Sequence, residues 1–147
     1  MLQRKQTLYL LAAAFLMAFV LLNPFVQNEN FIFSAFKFEN FETNKIIAVY
    51  PIGIFVIIAI VLNLFTLMLF KNRRIQMRFT IFCLLFSIGF YGLLFFYHYL
   101  ISQITEIKIT FYNFTLLAPF MAAVFDYMAY GGIKRDEKII KDSERLR

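Results

Sequence analysis

Apolar and polar positions divide the chain into four long apolar runs, separated by polar stretches and followed by a charged end. Leu8 to Leu22 is almost wholly apolar, and taking the element as Gln6–Val26 gives it the length of a bilayer span. Ile46–Phe70 carries no charge, and Phe79–Ile101 carries only the titratable His98. Phe114–Gly131 is interrupted by Pro119 and Asp126. Crossing roughly 30 Å of hydrocarbon takes about 20 helical residues, so each run predicts a membrane-spanning helix. Pro51 and Gly53 fall in the first turns of the second run, where a missing N–H costs least. The expected fold is an all-α membrane protein, a four-transmembrane-helix bundle forming one integral domain over all 147 residues.

The connections have patterns of their own. In Gln27–Lys45, Phe31/Phe33 and Phe36/Phe38 alternate with period two, with a phase slip near Ala35, which predicts short strands in a bulged hairpin. In Ser102–Asn113, Glu106 to Phe111 alternates strictly, a good strand signal for its length. A lone strand leaves its backbone edges open, so the two loops are expected to pair as a small β-sheet that lids the bundle from outside. Lys71–Arg78 is expected to be a tight basic turn between the second and third spans. Gly131-Gly132 is expected to loosen the backbone, and Ile133 to Arg147 to follow as a charged helical segment in a cytoplasmic tail, 132–147. Glu137 to Lys141 is a favourable i,i+4 pair there, and Asp142 to Arg145 an i,i+3 pair.

Composition agrees with lipid as the solvent: 61% of residues are hydrophobic, only 16% are charged, and the mean hydropathy is +0.70. The net charge of +6 does not point to nucleic acid, because the cations flank apolar runs and form no basic domain. They set an orientation instead. Of the 15 Lys and Arg, one side takes Arg4 and Lys5, the turn cations Lys71, Arg73, Arg74 and Arg78, and the tail cations Lys134, Arg135, Lys138, Lys141, Arg145 and Arg147. Only Lys37, Lys45 and Lys108 fall on the other side. The positive-inside rule therefore places both termini in the cytoplasm. A basic start before an apolar run also begins a secretory signal, but Asn23-Pro24-Phe25 follows in place of a small-x-small site, so the first run is expected to stay as a helix.

Three stretches carry a family resemblance. They are Met1-Leu-Gln-Arg-Lys-Gln-Thr-Leu-Tyr-Leu-Leu-Ala, the turn through Arg74-Ile-Gln-Met-Arg78, and above all the ending from Ile133 through Arg135-Asp136-Glu137-Lys138 to Ser143 and Arg145-Leu146-Arg147. Together they resemble a family of small four-span membrane proteins of Bacteroidota-type bacteria known only as a domain of unknown function. The resemblance covers the whole chain and departs from the family at Tyr130-Gly131. It implies a bacterial inner-membrane location and no activity.

Candidate chemistry is sparse. There is no phosphate-binding loop, no His-Glu-x-x-His and no Gly-x-Ser-x-Gly. The single cysteine, Cys83, excludes an internal disulfide, and no cofactor or metal site is expected. Claudin-like four-span proteins share the layout, but the Trp and paired Cys of their first loop are missing here. Asp126 is the residue to explain, since ionisable groups inside spans are costly and functional by default. Placed about one turn inside the end of the fourth span, it is expected to pair with Arg78 or Arg74; a proton or ion role is the alternative. His98 is expected to anchor at the interface, Cys83 to fill a gap, and Asn63 to bond between helices. Lys71, Arg73, Arg74, Arg78, Arg135, Asp136, Glu137, Arg145 and Arg147 are candidates for contact with anionic lipid headgroups or for docking a partner. A transport path needs polar groups at the midplane, where Ala14, Ile58, Phe90 and Ala122 are expected instead. The expected function is thus a non-enzymatic accessory or scaffold subunit, associating with itself or with another membrane protein. The alternative is a small oligomeric transporter or channel subunit using Asp126.

Overall fold

In the computed structural model the described residues are 3–42, 44–105 and 114–145. Helix α1, Gln3–Leu22, is built from Leu, Ala, Met and Phe, all compatible with a continuous helix. It stops four residues short of Val26. Asn23 donates from both its backbone N and its Nδ2 to Phe19 O, at 3.1 and 2.9 Å, closing the last turn, and Pro24 cannot extend it.

Val26 enters a sheet instead. Strands β1 (Val26–Gln27), β2 (Phe31–Phe33), β3 (Lys37–Asn40) and β4 (Lys45–Ala48) form an antiparallel meander in the order β1-β2-β3-β4. Phe33 lies opposite Phe38, Phe31 opposite Asn40, and Lys37 opposite Ala48. The phase slip at Ala35 is a hairpin turn, in which Ser34 N donates to Lys37 O at 2.9 Å. Asn44, at φ 50°, takes the left-handed conformation needed between β3 and β4, which Asn tolerates. All four described strands lie between α1 and α2. The strand expected over Glu106–Phe111, and its pairing with them, lie outside the described residues. Phe25 joins the sheet to the bundle, with edge-on contacts to Phe33 (centroids 5.3 Å) and Phe90 (5.7 Å).

Helix α2 is Tyr50–Met68, because β4 takes the first residues of the second apolar run. A 3-10 turn, Leu69–Lys71, and Asn72 connect it to α3, Arg73–Thr105. The basic stretch is therefore mostly helix, and Arg73, Arg74 and Arg78 stand on the first turns of α3. After a 3-10 turn at Phe114–Leu116, α4 runs unbroken from Leu117 to Arg145. Gly131-Gly132 does not interrupt it, so the charged tail continues the fourth helix. Gly132 is where α1 presses against α4, since a Cβ there would lie 2.9 Å from Gln6 Cγ.

Four helices are long and apolar enough to cross a membrane. Their shared core is fine-grained. Ala13, Met17 and Val20 of α1 meet Ile52, Val56 and Ala59 of α2, Phe90 of α3, and Ala118 and Ala122 of α4. Small residues allow the close backbone approach on which helix association in lipid depends. Large apolar side chains such as Phe15, Ile54, Phe95 and Phe120 point outward, as a lipid-facing surface requires. The sheet caps one end. The start of α1, the α2–α3 connection and the last turns of α4 share the other, cationic end.

Candidate functional site: a buried acid and a cationic end

The inward face of α3 is polar along its first half. Gln76, Thr80, Cys83 and Ser87 recur at helical spacing and are all buried. Part of the buried polarity of α2 and α3 is satisfied locally. Thr80 Oγ1 donates to Gln76 O at 2.8 Å and Thr66 Oγ1 to Leu62 O at 2.7 Å, each one turn back. Asn63 does the same, its Nδ2 donating to Ala59 O at 3.1 Å, so it bonds within α2 and not between helices as expected. Thr66 Oγ1 also lies 3.5 Å from Cys83 Sγ, joining α2 to α3.

Asp126 faces this stripe and is 0% exposed. Its Oδ2 accepts from Ser87 Oγ at 3.2 Å, and its Oδ1 has no hydrogen-bond partner among the described residues. The expected pairing with Arg78 or Arg74 does not form. At about 1.5 Å per residue, Asp126 lies roughly 12 Å in from Lys134 and roughly 18 Å from Phe114, near mid-span. Arg78 is roughly 13 Å along α3 from Ser87. The depth expected from the sequence assumed that the fourth span ended near Tyr130. A polar pair therefore does occupy the middle of the bundle, with Ala122 and Phe90 in the apolar core about one turn away along the same helices.

The arginines bond at the cationic end instead. Asp136 Oδ2 accepts from Gln6 Nε2 at 2.7 Å and pairs with Arg73 Nη1 at 3.1 Å, tying α1, α3 and α4 together. Arg74 Nε donates to Glu137 Oε1 at 3.1 Å, and Lys141 Nζ reaches the same oxygen at 3.1 Å across one turn of α4. These contacts, the Lys141 hydrogen bond foremost, hold the Glu137 carboxyl below its ordinary range despite partial burial. Asp136, 5% exposed, and Glu137 are thus internal fasteners of the helix ends. The Gln6–Asp136 bond was missed, although a signal for it existed. Ala118, Ala122, Asp126, Ala129, Ile133 and Asp136 fall at spacings of three and four, so the buried face of α4 simply continues through Asp136.

Lys71, Arg78, Lys134, Arg135 and Lys138 are exposed at this end. The side chains of Arg145 and Arg147 lie outside the described residues. Clefts open here. One of about 570 Å³ lies between α1 and α4 and is lined by Lys5, Tyr9, Tyr127, Tyr130, Lys134 and Arg135. Another, about 590 Å³, lies where Lys71 to Ile75 face Glu137 and Lys141. His98 is half-buried far along α3. Among the described residues no group of three His, Cys, Asp or Glu is placed to hold a metal ion.

No curated protein and no solved structure matches the chain. A family model does, over residues 2–146, which is nearly the full length. Four apolar helices carrying a small sheet at one end and an ion-paired cationic cluster at the other are therefore the form of a chain that belongs to the family described as Domain of unknown function (DUF4293).

Proposed function

We propose that the protein is a non-enzymatic accessory or scaffold subunit of the bacterial inner membrane, with both termini cytoplasmic, acting by association through its bundle and cationic face. The observation that supports this reading best is the fastening of the last turns of α4 onto α3. Arg73–Asp136 and Arg74–Glu137 make the extension of α4 a rigid continuation of the bundle, from which Arg135 and Lys138, salt-bridged to none of the described carboxylates, stand outward. A tail that only fixed topology by its charge would not need to be tied down by buried carboxylates. Purification of tagged protein in gentle detergent is expected to retain a membrane partner at fixed stoichiometry, and Arg135→Glu with Lys138→Glu is expected to release it. Recovery of a lone homo-oligomer that conducts ions in liposomes would overturn the proposal.

The mid-span position of Asp126 favours a second reading, a small oligomeric transporter or channel subunit. An acid enclosed at that depth with one hydroxyl partner among the described residues is the kind of group that ion and proton paths use. The two readings separate at Asp126→Asn. Among the described residues no cation pairs with Asp126, so the isosteric amide should leave melting unchanged. An accessory subunit would also keep its partner, whereas a transporter would lose flux.

A further inference from the structure

The cleft between α1 and α4 is chemically two-tiered. Tyr9, Tyr127 and Met128 line its deeper part, and Tyr9 stacks on Phe125 across the helix pair (centroids 6.2 Å). Lys5, Lys134 and Arg135 line the part toward the cationic end, and Lys134 Nζ sits 6.0 Å above the Tyr130 ring. Both helices order these groups alike, with aromatic residues inward of cations. From Tyr127 to Lys134 the rise is roughly 10 Å, and from Tyr9 back to Lys5 roughly 6 Å. Asp136, the carboxylate on the cleft wall, is already bonded to Gln6 and Arg73. Of the described carboxylates none is salt-bridged to Lys5, Lys134 or Arg135, in contrast to Arg73, Arg74 and Lys141. Gly131 lies on the cleft with no atom within 4 Å of where its Cβ would be, so the lack of a side chain there keeps the space open.

We propose that this α1–α4 cleft is a binding site for an anionic phospholipid, with the headgroup phosphate held by Lys5, Lys134 and Arg135 and the glycerol and upper acyl chain lying along Tyr9, Tyr127 and Met128. Charge complementarity carries the headgroup and the apolar tier carries the chain, a combination that a free anion would use only in part. Bilayer-facing basic clefts between helices suit this ligand, and each cation near an anionic headgroup contributes roughly fivefold in affinity. The inference needs the bundle to span a bilayer with this end at the interface; it does not need the accessory role.

The test is native mass spectrometry of full-length protein released from nanodiscs of phosphatidylcholine containing a minor fraction of phosphatidylglycerol. Wild type is expected to retain phosphatidylglycerol in preference to phosphatidylcholine. The triple variant Lys5→Gln/Lys134→Gln/Arg135→Gln and the uncharged filler Gly131→Leu are each expected to lose that retention at least tenfold. Lys71→Gln/Arg78→Gln/Lys138→Gln removes equal charge from elsewhere on the same end and is expected to stay within twofold of wild type. Equal loss in this control would reduce the effect to general surface attraction and overturn the site. So would displacement by inorganic phosphate, or the absence of any headgroup preference. Should Gly131→Leu fail to fold, the triple variant decides alone, and failure of wild type to enter nanodiscs would count against the membrane reading itself.

Discussion

Tyr91 shows how one side chain repairs a backbone defect in an apolar setting. Pro119, in the first turn of α4, has no N–H to give, and the helix begins as a 3-10 turn. The Tyr91 hydroxyl enters at this point from α3. It donates to Leu116 O and accepts from Phe120 N at 3.0 Å, standing between two groups that would otherwise pair along the helix. Unpaired backbone groups shielded from water cost about 1–3 kcal/mol. Tyr91→Phe is therefore expected to lower bundle stability by about 1–3 kcal/mol in a denaturation titration in bicelles. An unchanged midpoint would mean that Leu116 and Phe120 close the bond themselves. Asp126 is a different case. Its Oδ2 has a hydroxyl and its Oδ1 nothing within the described residues, so it serves stability poorly, which is what makes it worth testing for function.

At the scale of elements, the joint between sheet and bundle is set by Gly53 in the first turns of α2. A Cβ at that position would clash with the edge of the Phe36 ring, at Cε1 and Cδ1, and Val49 N donates to Phe36 O at 2.9 Å just before the helix. The hairpin turn thus sits directly on the backbone of α2. Gly53→Ala is expected to destabilise by about 1–3 kcal/mol through overpacking. Phe36→Leu in the same chain is expected to recover part of the loss, and two additive penalties in the double-mutant cycle would refute the contact. Gly53 was legible only as a residue near a helix start, since the close approach depends on Phe36 from another element. The strands were legible because Phe31, Phe33 and Phe38 alternate and all three are buried. Their boundary with α2 was not. Ile46-Ile47-Ala48 is as apolar as the helix after it, and hydrophobicity alone does not separate a strand from a helical turn over three residues. What decides it is the partner strand β3, from Lys37 to Asn40. The tail was misdivided for the opposite reason. Two glycines lower helix propensity, but Gln6 and Arg73 on either side hold α4 straight through Asp136. The same oversight moved Asp126 from the interface to mid-span.

The whole molecule is electrically polar along the bundle axis, and this carries the last prediction. The sheet end presents Lys37 and Lys45 against Glu29, Glu39 and Glu42, with Lys37 already paired to Glu39. The opposite end gathers Lys5, Lys71, Arg73, Arg74, Arg78, Lys134, Arg135, Lys138 and Lys141, and two of its carboxylates, on Asp136 and Glu137, are internally neutralised. Cations flanking short connections resist translocation, so the asymmetry is expected to orient the bundle with the sheet outside and the cationic end in the cytoplasm. Cysteine labelling in whole cells tests this directly, because the native Cys83 is buried and should not react. Asn28→Cys, on the exposed β1–β2 turn, is expected to take a membrane-impermeant maleimide in spheroplasts. Lys138→Cys, on the exposed face of α4, is expected to react only after the membrane is permeabilised. The reverse pattern would invert the molecule and put the α1–α4 cleft against the outer leaflet. Labelling of both sites in intact spheroplasts would mean that the charge asymmetry does not fix one orientation, and a scaffold with a dedicated cytoplasmic face would lose its physical basis.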